Sequence, residues 1–468
     1  MSTLYAKRDV IFRNPFCLLL LAVILLFACK KDESITTDSS ARLSFSTDSV
    51  LFDTIFTSVG STTQRVKVFN YNRKAVNISH IALVGGNTSS YRVNINGKPA
   101  SNAENVRLNG NDSLTVFIKV TIDPTSSETP FLVEDALTFV TNGNTQTIPL
   151  VAYGQNAHFI NNSTLAENTV WDDKLPYVIY NQVQVAENAT LTINAGARVY
   201  FHKDAKMTVA GTLNCQGTAT DTISIASDRM ERIYSEEPGQ WTGIHFTSTS
   251  VNNRINHNSI KNALIGLQVD SMQTGGTPKL LLTNSEVKNM QVCALAGYHT
   301  NIAAFNNLFA NCGQYLIYGI FGGDYNIKQN TFANYTYNFI RNTPSLYFSG
   351  NNPQQTGSGT NTLSINLTNN IVWGGLADEL TIENANASTL QNNLIRTTDN
   401  TLTSNNFLNT DPGFLNPRQG NYQLSDGSFA LDKGTDLSGD VYFSTFLQKD
   451  IKENLRLFPS ELGCYEKM

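Results

Sequence analysis

Six short segments of the chain superimpose on one another, and their spacing limits the folds open to them. Placing Asn258, Ser285, Asn307, Asn330, Asn370 and Asn393 at a common position brings Ile260, Val287, Phe309, Phe332, Val372 and Ile395 into one column two residues later. Asn262, Asn289, Asn311 and Asn334, then Gly374 and Thr397, fall four residues after the same anchors. Successive anchors stand 27, 22, 23, 40 and 23 residues apart. A step of 22 or 23 suits one turn of a parallel β-helix, in which each coil covers the apolar face of the last. The apolar column then predicts an interior stack, and the asparagine column a ladder at a coil corner, each amide bonded to the coils above and below. The two longest steps contain insertions that must leave the coil as loops, Asp270 to Lys279 and the stretch around Ser349 to Asn361. Loops so placed often wall the binding face of a solenoid.

The same texture begins earlier. Val183 to Val185, Leu191 to Ile193, Val199 to Phe201, Met207 to Val209 and Ile223 to Ile225 are brief apolar runs punctuated by Asn188, Gly196, Gly211 and Gly217. Strands this short build a core only when stacked as rungs. From Leu43 to Gly154 the pattern differs: alternating strands recur at intervals near ten residues, as in a β-sandwich. Leu114, Val116, Ile118, Val120 and Ile122 alternate inward against Thr115, Lys119 and Thr121, and Asn142-Gly143 is a strong hairpin signal between two further runs. The chain of 468 residues is long for a single core, and its 15% charged content with abundant Asn, Thr, Ser and Gly fits a turn-rich all-β protein outside the cell. The expected division is a sandwich over 43–155, a β-helix over 165–400 and a carboxyl-terminal cap over 401–468.

The amino terminus reads as an export signal over 1–28: Lys7, Arg8 and Arg13, then an apolar run from Phe16 to Phe27, too short to span a bilayer comfortably, then Ala28 before Cys29. Leu26-Phe27-Ala28-Cys29 resembles the lipobox of bacterial lipoproteins, which implies cleavage before Cys29 and a lipid on its thiol. Lys30-Lys31-Asp32-Glu33 resembles the export tag of Bacteroidota surface lipoproteins, and Ser34 to Ser40 then reads as a spacer within a 29–42 tether. Loss of the first 28 residues moves the formal charge from −5 to −7, an acidic balance that argues against a nucleic-acid partner.

Further resemblances join these parts. The segment over 43–155 is similar to the Ig-like domains that precede the main body of Bacteroidota surface lipoproteins, through Asp112-Ser113-Leu114 and Thr141-Asn142-Gly143. From about residue 165, Thr190-Leu191-Thr192-Ile193-Asn194-Ala195-Gly196 and Pro238-Gly239-Gln240-Trp241-Thr242-Gly243-Ile244 resemble right-handed parallel β-helices of the pectate-lyase-like class. Asp411-Pro412-Gly413-Phe414, Asn421-Tyr422-Gln423-Leu424, Leu431-Asp432-Lys433-Gly434 and Glu461-Leu462-Gly463-Cys464-Tyr465-Glu466 resemble the tail of choice-of-anchor Q proteins. The resemblance specifies fold far more than activity. It implies an all-β, lipid-anchored protein of a Gram-negative outer membrane, facing the cell surface.

Chemistry is sparse in the sequence. A hydrolase on this fold needs several carboxylates converging from neighbouring coils, and a lyase needs a base with Ca²⁺ or Arg beside a uronate. The best lyase-like set is Asp324, Lys328 and Arg341, but the register places Asn301 and Ser364 beside Asp324, so no second carboxylate stacks there to hold a cation. No cofactor is expected, with Ca²⁺ entering only in a lyase. Tyr298, Tyr315, Tyr318, Tyr325, Tyr335, Tyr337 and Tyr347 crowd the middle coils, and exposed aromatic faces stack on sugar rings. Tyr315, Tyr318, Tyr325 and Tyr335 are the candidate ligand contacts. Cys293 lies eight after its anchor and Cys312 five after its own, so they do not stack; with Cys215 and Cys464 they are expected as buried free thiols. Three functions remain open: a non-catalytic polysaccharide binder, a polysaccharide lyase or glycoside hydrolase, and an adhesin or structural surface protein.

Overall fold

The computed structural model describes residues 34–335, 340–351 and 361–467, so the export segment, Cys29, Tyr337 and most of the second insertion lie outside the described residues. The chain divides into two units, one ending at Gly154 and a larger one of Gln155 onward with Pro124–Phe131.

The first unit is a sandwich of two five-stranded antiparallel sheets. Leu114, Val116, Ile118, Val120 and Ile122 are all buried, as their alternation requires. Asn142 and Gly143 both adopt positive φ, 51° and 80°, which a two-residue hairpin needs to match the twist of its strands. Residues expected as a free spacer are partly tied down. The N–H of Thr36 donates to Ala75 O at 2.8 Å, while the Asn142 and Asn144 amides donate to the carbonyls of Asp38 and Ser39 at 3.0 and 2.7 Å.

The second unit is a parallel β-helix whose first coil begins at His158, seven residues before the expected start at 165. Its strands stack in three sheets. Sheet 1 includes Thr190–Asn194, Thr212–Gln216, Asn253–Asn256 and Leu280–Thr283. Sheet 2 carries the anchors, with Asn258–Lys261, Glu286–Lys288, Leu308–Ala310, Thr331–Asn334, Ile371–Gly374 and Leu394–Ile395 in succession. Sheet 3 includes Lys206–Val209, Gly243–Phe246, Ile265–Asp270, the first half of Tyr315–Lys328 and Leu346–Ser349. The register matches the alignment at every coil: Ile260, Val287, Phe309, Phe332, Val372 and Ile395 are consecutive partners, each fully buried in one core.

The anchors form the ladder. Asn330 Oδ1 accepts from Asn307 N and Nδ2, both at 2.9 Å; Asn370 Oδ1 accepts from Asn330 N at 2.9 Å and Nδ2 at 3.1 Å; Asn393 repeats this toward Asn370. Asn406 extends the series one coil further, after a step of 13. The residue before each anchor, His257, Asn284, Asn306, Gln329, Asn369 or Asn392, turns the corner at φ between 49° and 58°. A short polar side chain tolerates that left-handed geometry best, which explains the preference for Asn. Asn262, Asn289 and Asn311, four after their anchors, are further left-handed turns rather than a second ladder.

The carboxyl-terminal region does more than cap the helix. Leu402 and Leu408 pack against the core, but the rest of the segment returns along the outside. Phe414, Tyr422, Leu424, Leu462 and Cys464 bury Leu308, Ala333, Ile371 and Trp373 on the outer face of sheet 2, and Leu437 and Leu447 bury Leu281, Ala303 and Phe305 on sheet 1. Polar contacts fix its path: Lys328 pairs with Asp440, and Arg456 Nη2 donates to Asn306 Oδ1 at 2.9 Å.

Candidate functional site

Outward positions on the middle coils of sheet 3 gather the tyrosines. Tyr318 has Ala296 as its partner on the coil before and Tyr347 on the coil after, and Tyr315 has Cys293 before it. These small neighbours leave the rings room to lie over the sheet. Tyr315 and Tyr318 stack at 4.6 Å between centroids, and Tyr318 and Tyr347 at 5.6 Å. All three rings are half-buried, so each keeps an accessible surface. Burial raises the Tyr315 and Tyr318 phenols above their usual range, and burial together with the Glu383 carboxylate pushes Tyr347 up to about 12. Neutral phenols then donate hydrogen bonds at physiological pH; Tyr347 Oη donates to Glu383 Oε2 at 2.7 Å. Tyr298 continues the aromatic patch, with Phe321 at 6.2 Å.

Two candidate tyrosines lie elsewhere. Tyr325 is wholly interior, and Gly297 and Gly319 make room for it: a Cβ there would meet its hydroxyl at 2.6 and 2.7 Å. Tyr335 packs on Phe414 and Tyr422 under the returning tail.

The lyase-like set does not converge. Asp324 is exposed between Asn301 and Ser364, as the register predicts. Lys328 is bound to Asp440. Arg341 is buried against Glu379, with Nη1 and Nη2 donating to its carboxylate at 2.8 and 2.6 Å. Glu379 was not foreseen, since nothing in its local sequence marks a carboxylate with no exposed surface.

Carboxylates do border the tyrosine face. Asp270 lies beside Tyr298, and its Oδ2 is 2.7 Å from His245 Nε2; burial raises the acid, but the His245 and Gln268 hydrogen bonds outweigh this and leave its pKa low. Glu383 stands four coils further on, about 19 Å away at the usual inter-strand spacing, well beyond the separation at which two acids share one glycosidic bond. Among the described residues, no three His, Cys, Asp or Glu side chains gather as a metal site. The face therefore offers stacking surface and hydrogen bonds rather than paired acid and base.

The four thiols among the described residues, Cys215, Cys293, Cys312 and Cys464, are buried and unpaired. Cys293 sits beside Tyr315, not Cys312, and burial pushes Cys312 and Cys464 up to about 12 and the other two higher still. In a chain starting after Cys29, a thiol-specific chromogenic disulfide should label none of them under native conditions and all four in denaturant. A native signal would contradict this packing.

The sequence matches no known family model, and no curated protein matches it. Partial likeness to solved structures includes the following three. The catalytic unit of a GH87 alpha-1,3-glucanase from Streptomyces thermodiastaticus strain HF3-3 is 10% identical, over 74% of this chain and 64% of that one, with a TM-score of 0.21. The E. coli chaperone DraB is 12% identical over 24% of this chain and 56% of its own, with a TM-score of 0.18. A family 123 glycoside hydrolase from Clostridium perfringens is 8% identical over 26% of this chain and 30% of its own, also with a TM-score of 0.18. The chain spans less than two thirds of each.

Proposed function

We propose that this protein is a lipid-anchored cell-surface binder of polysaccharide, held to a Gram-negative outer membrane through Cys29, that engages its ligand without cleaving it. The observation that carries the reading is the stacked Tyr315, Tyr318 and Tyr347 face on sheet 3. Sugar rings bury apolar C–H surface on such rings while their hydroxyls stay hydrated. Glu383 and Asp270 supply acceptors at the border of the face, and their separation leaves no acid and base pair across a single bond. The residues that elsewhere would suggest cleavage, Lys328 and Arg341, are committed to ion pairs.

The test is binding across a panel of plant, host and microbial polysaccharides, with release of reducing ends followed in parallel. Tyr318→Ala is expected to weaken binding of the preferred polymer by about tenfold, which corresponds to ~1.4 kcal/mol. Tyr335→Phe, beneath the tail, should leave it unchanged. Reducing-end release on any polymer would replace the binder with an enzyme. Binding that is indifferent to Tyr318 would remove the tyrosine face from the account.

A further inference from the structure

A second surface carries chemistry of a different kind. On the outer side of sheet 1, strands of four coils form a groove of about 340 Å³, lined by Thr190, Thr212, Asn214, Gln216, Arg254 and Asn256 among others. Its border is built from both irregular parts of the helix unit. Gln273, in the first insertion, exchanges two hydrogen bonds with the groove residue Asn252, at 2.7 and 2.8 Å. Phe446, in the returning tail, contributes an aromatic wall.

Arg254 is exposed on this floor, and its partners on the neighbouring coils are Asn214 and Leu281. Among the described residues no carboxylate pairs with it, in a protein of net charge −5. The other polar side chains of the lining are neutral hydroxyls and amides. Such a lining hydrogen-bonds sugar hydroxyls in either direction, because amides and hydroxyls both donate and accept. A guanidinium adds a planar fork that fits a carboxylate or sulfate through two parallel N–H bonds.

We propose that this groove is a second saccharide site, specific for a sugar unit carrying a carboxylate or a sulfate ester, with Arg254 holding the anion and Phe446 one face of the ring. It stands apart from the tyrosine face in position and in ligand charge, so either can fail alone. The test uses the full-length chain purified in detergent, with affinity electrophoresis in polygalacturonate, dextran sulfate and unmodified dextran at low ionic strength. Wild type should be retarded by at least one polyanion, and Arg254→Gln should weaken that binding at least tenfold. Tyr335→Phe, under the tail and away from both faces, should leave it unchanged. Lys206→Gln, which removes an exposed cation of sheet 3, should change it less than twofold. Retardation by polygalacturonate alone assigns a uronate, by dextran sulfate alone a sulfated sugar, and by both a site that reads charge. No retardation by either polyanion, an unaffected Arg254→Gln variant, or an equal loss in Lys206→Gln would overturn the proposal.

Discussion

Replacing Asn330 by Ala should destabilise the β-helix by about 5 kcal/mol, several times the loss from removing an exposed asparagine. Asn330 has no exposed surface, and its amide joins three coils. Its Nδ2 satisfies the carbonyls of Ala304 and Lys328, both at 2.9 Å, while its Oδ1 satisfies two donors of Asn307. Truncation strands these groups where water does not reach, and each orphan costs about 1–3 kcal/mol. Urea unfolding followed by far-ultraviolet circular dichroism measures the effect, with Asn87→Ala in the sandwich as the exposed control. A loss below 1 kcal/mol would show that the ladder is ornament rather than support.

The second large effect concerns Glu379. Glu379→Ala should cost about 3–5 kcal/mol, because it leaves the Arg341 guanidinium buried without a counter-charge. The carboxylate also accepts from Ser345 N and Oγ at 3.0 and 2.6 Å and from Leu376 N at 2.8 Å, so backbone donors are orphaned as well. Pairing the change with Arg341→Met should recover most of the loss, since an apolar pair of similar volume is often as stable as a buried ion pair. A double variant as unstable as Glu379→Ala would mean that the backbone donors, not the charge, set the cost. Either result places Arg341 in the frame of the coil, which is why its presence in the sequence gave a misleading hint of chemistry.

Parts of the chain differ in how much of their fold is local in sequence. The anchor column was legible because a solenoid makes sequence distance a direct measure of spatial register: Ile260 to Ile395 align by counting alone. The hairpin at Asn142-Gly143 was legible because its backbone demands residues that tolerate positive φ. The return of the tail was not, since its hydrogen-bond partners are scattered over several coils, from 41 to 196 residues away in sequence. One signal did exist. Leu280-Leu281-Leu282 and Ile371-Val372-Trp373 are continuous apolar runs where a strand with one wet face would alternate, and such runs mark burial on both faces. The tyrosines divided for a comparable reason. Gly297 and Gly319 occupy the same register position, and that shared absence of side chains makes space for Tyr325 inside, while the small residues beside Tyr315 and Tyr318 act on the outside. Arg254 and Glu379 were invisible because being unpaired, or being paired inside, depends on partners in other coils.

The anchor side-chain oxygens from Ser285 to Asn406 all face the coil before. From Asn258 to Asn393, the side-chain oxygen of each later residue receives the N–H of the earlier one, and Asn406 ends the series by donating to the carbonyls of Leu390 and Leu402, both at 3.1 Å. Each anchor N–H is thus satisfied by the next coil, while the Nδ2 of Asn307, Asn330, Asn370 and Asn393 donates back to a carbonyl of the coil before. A coil is therefore fully bonded at this corner only when both of its neighbours are in place. Loss of the last coil would leave the Asn393 N–H without its acceptor, and the short step to Asn406 brings the oxygen that closes the row.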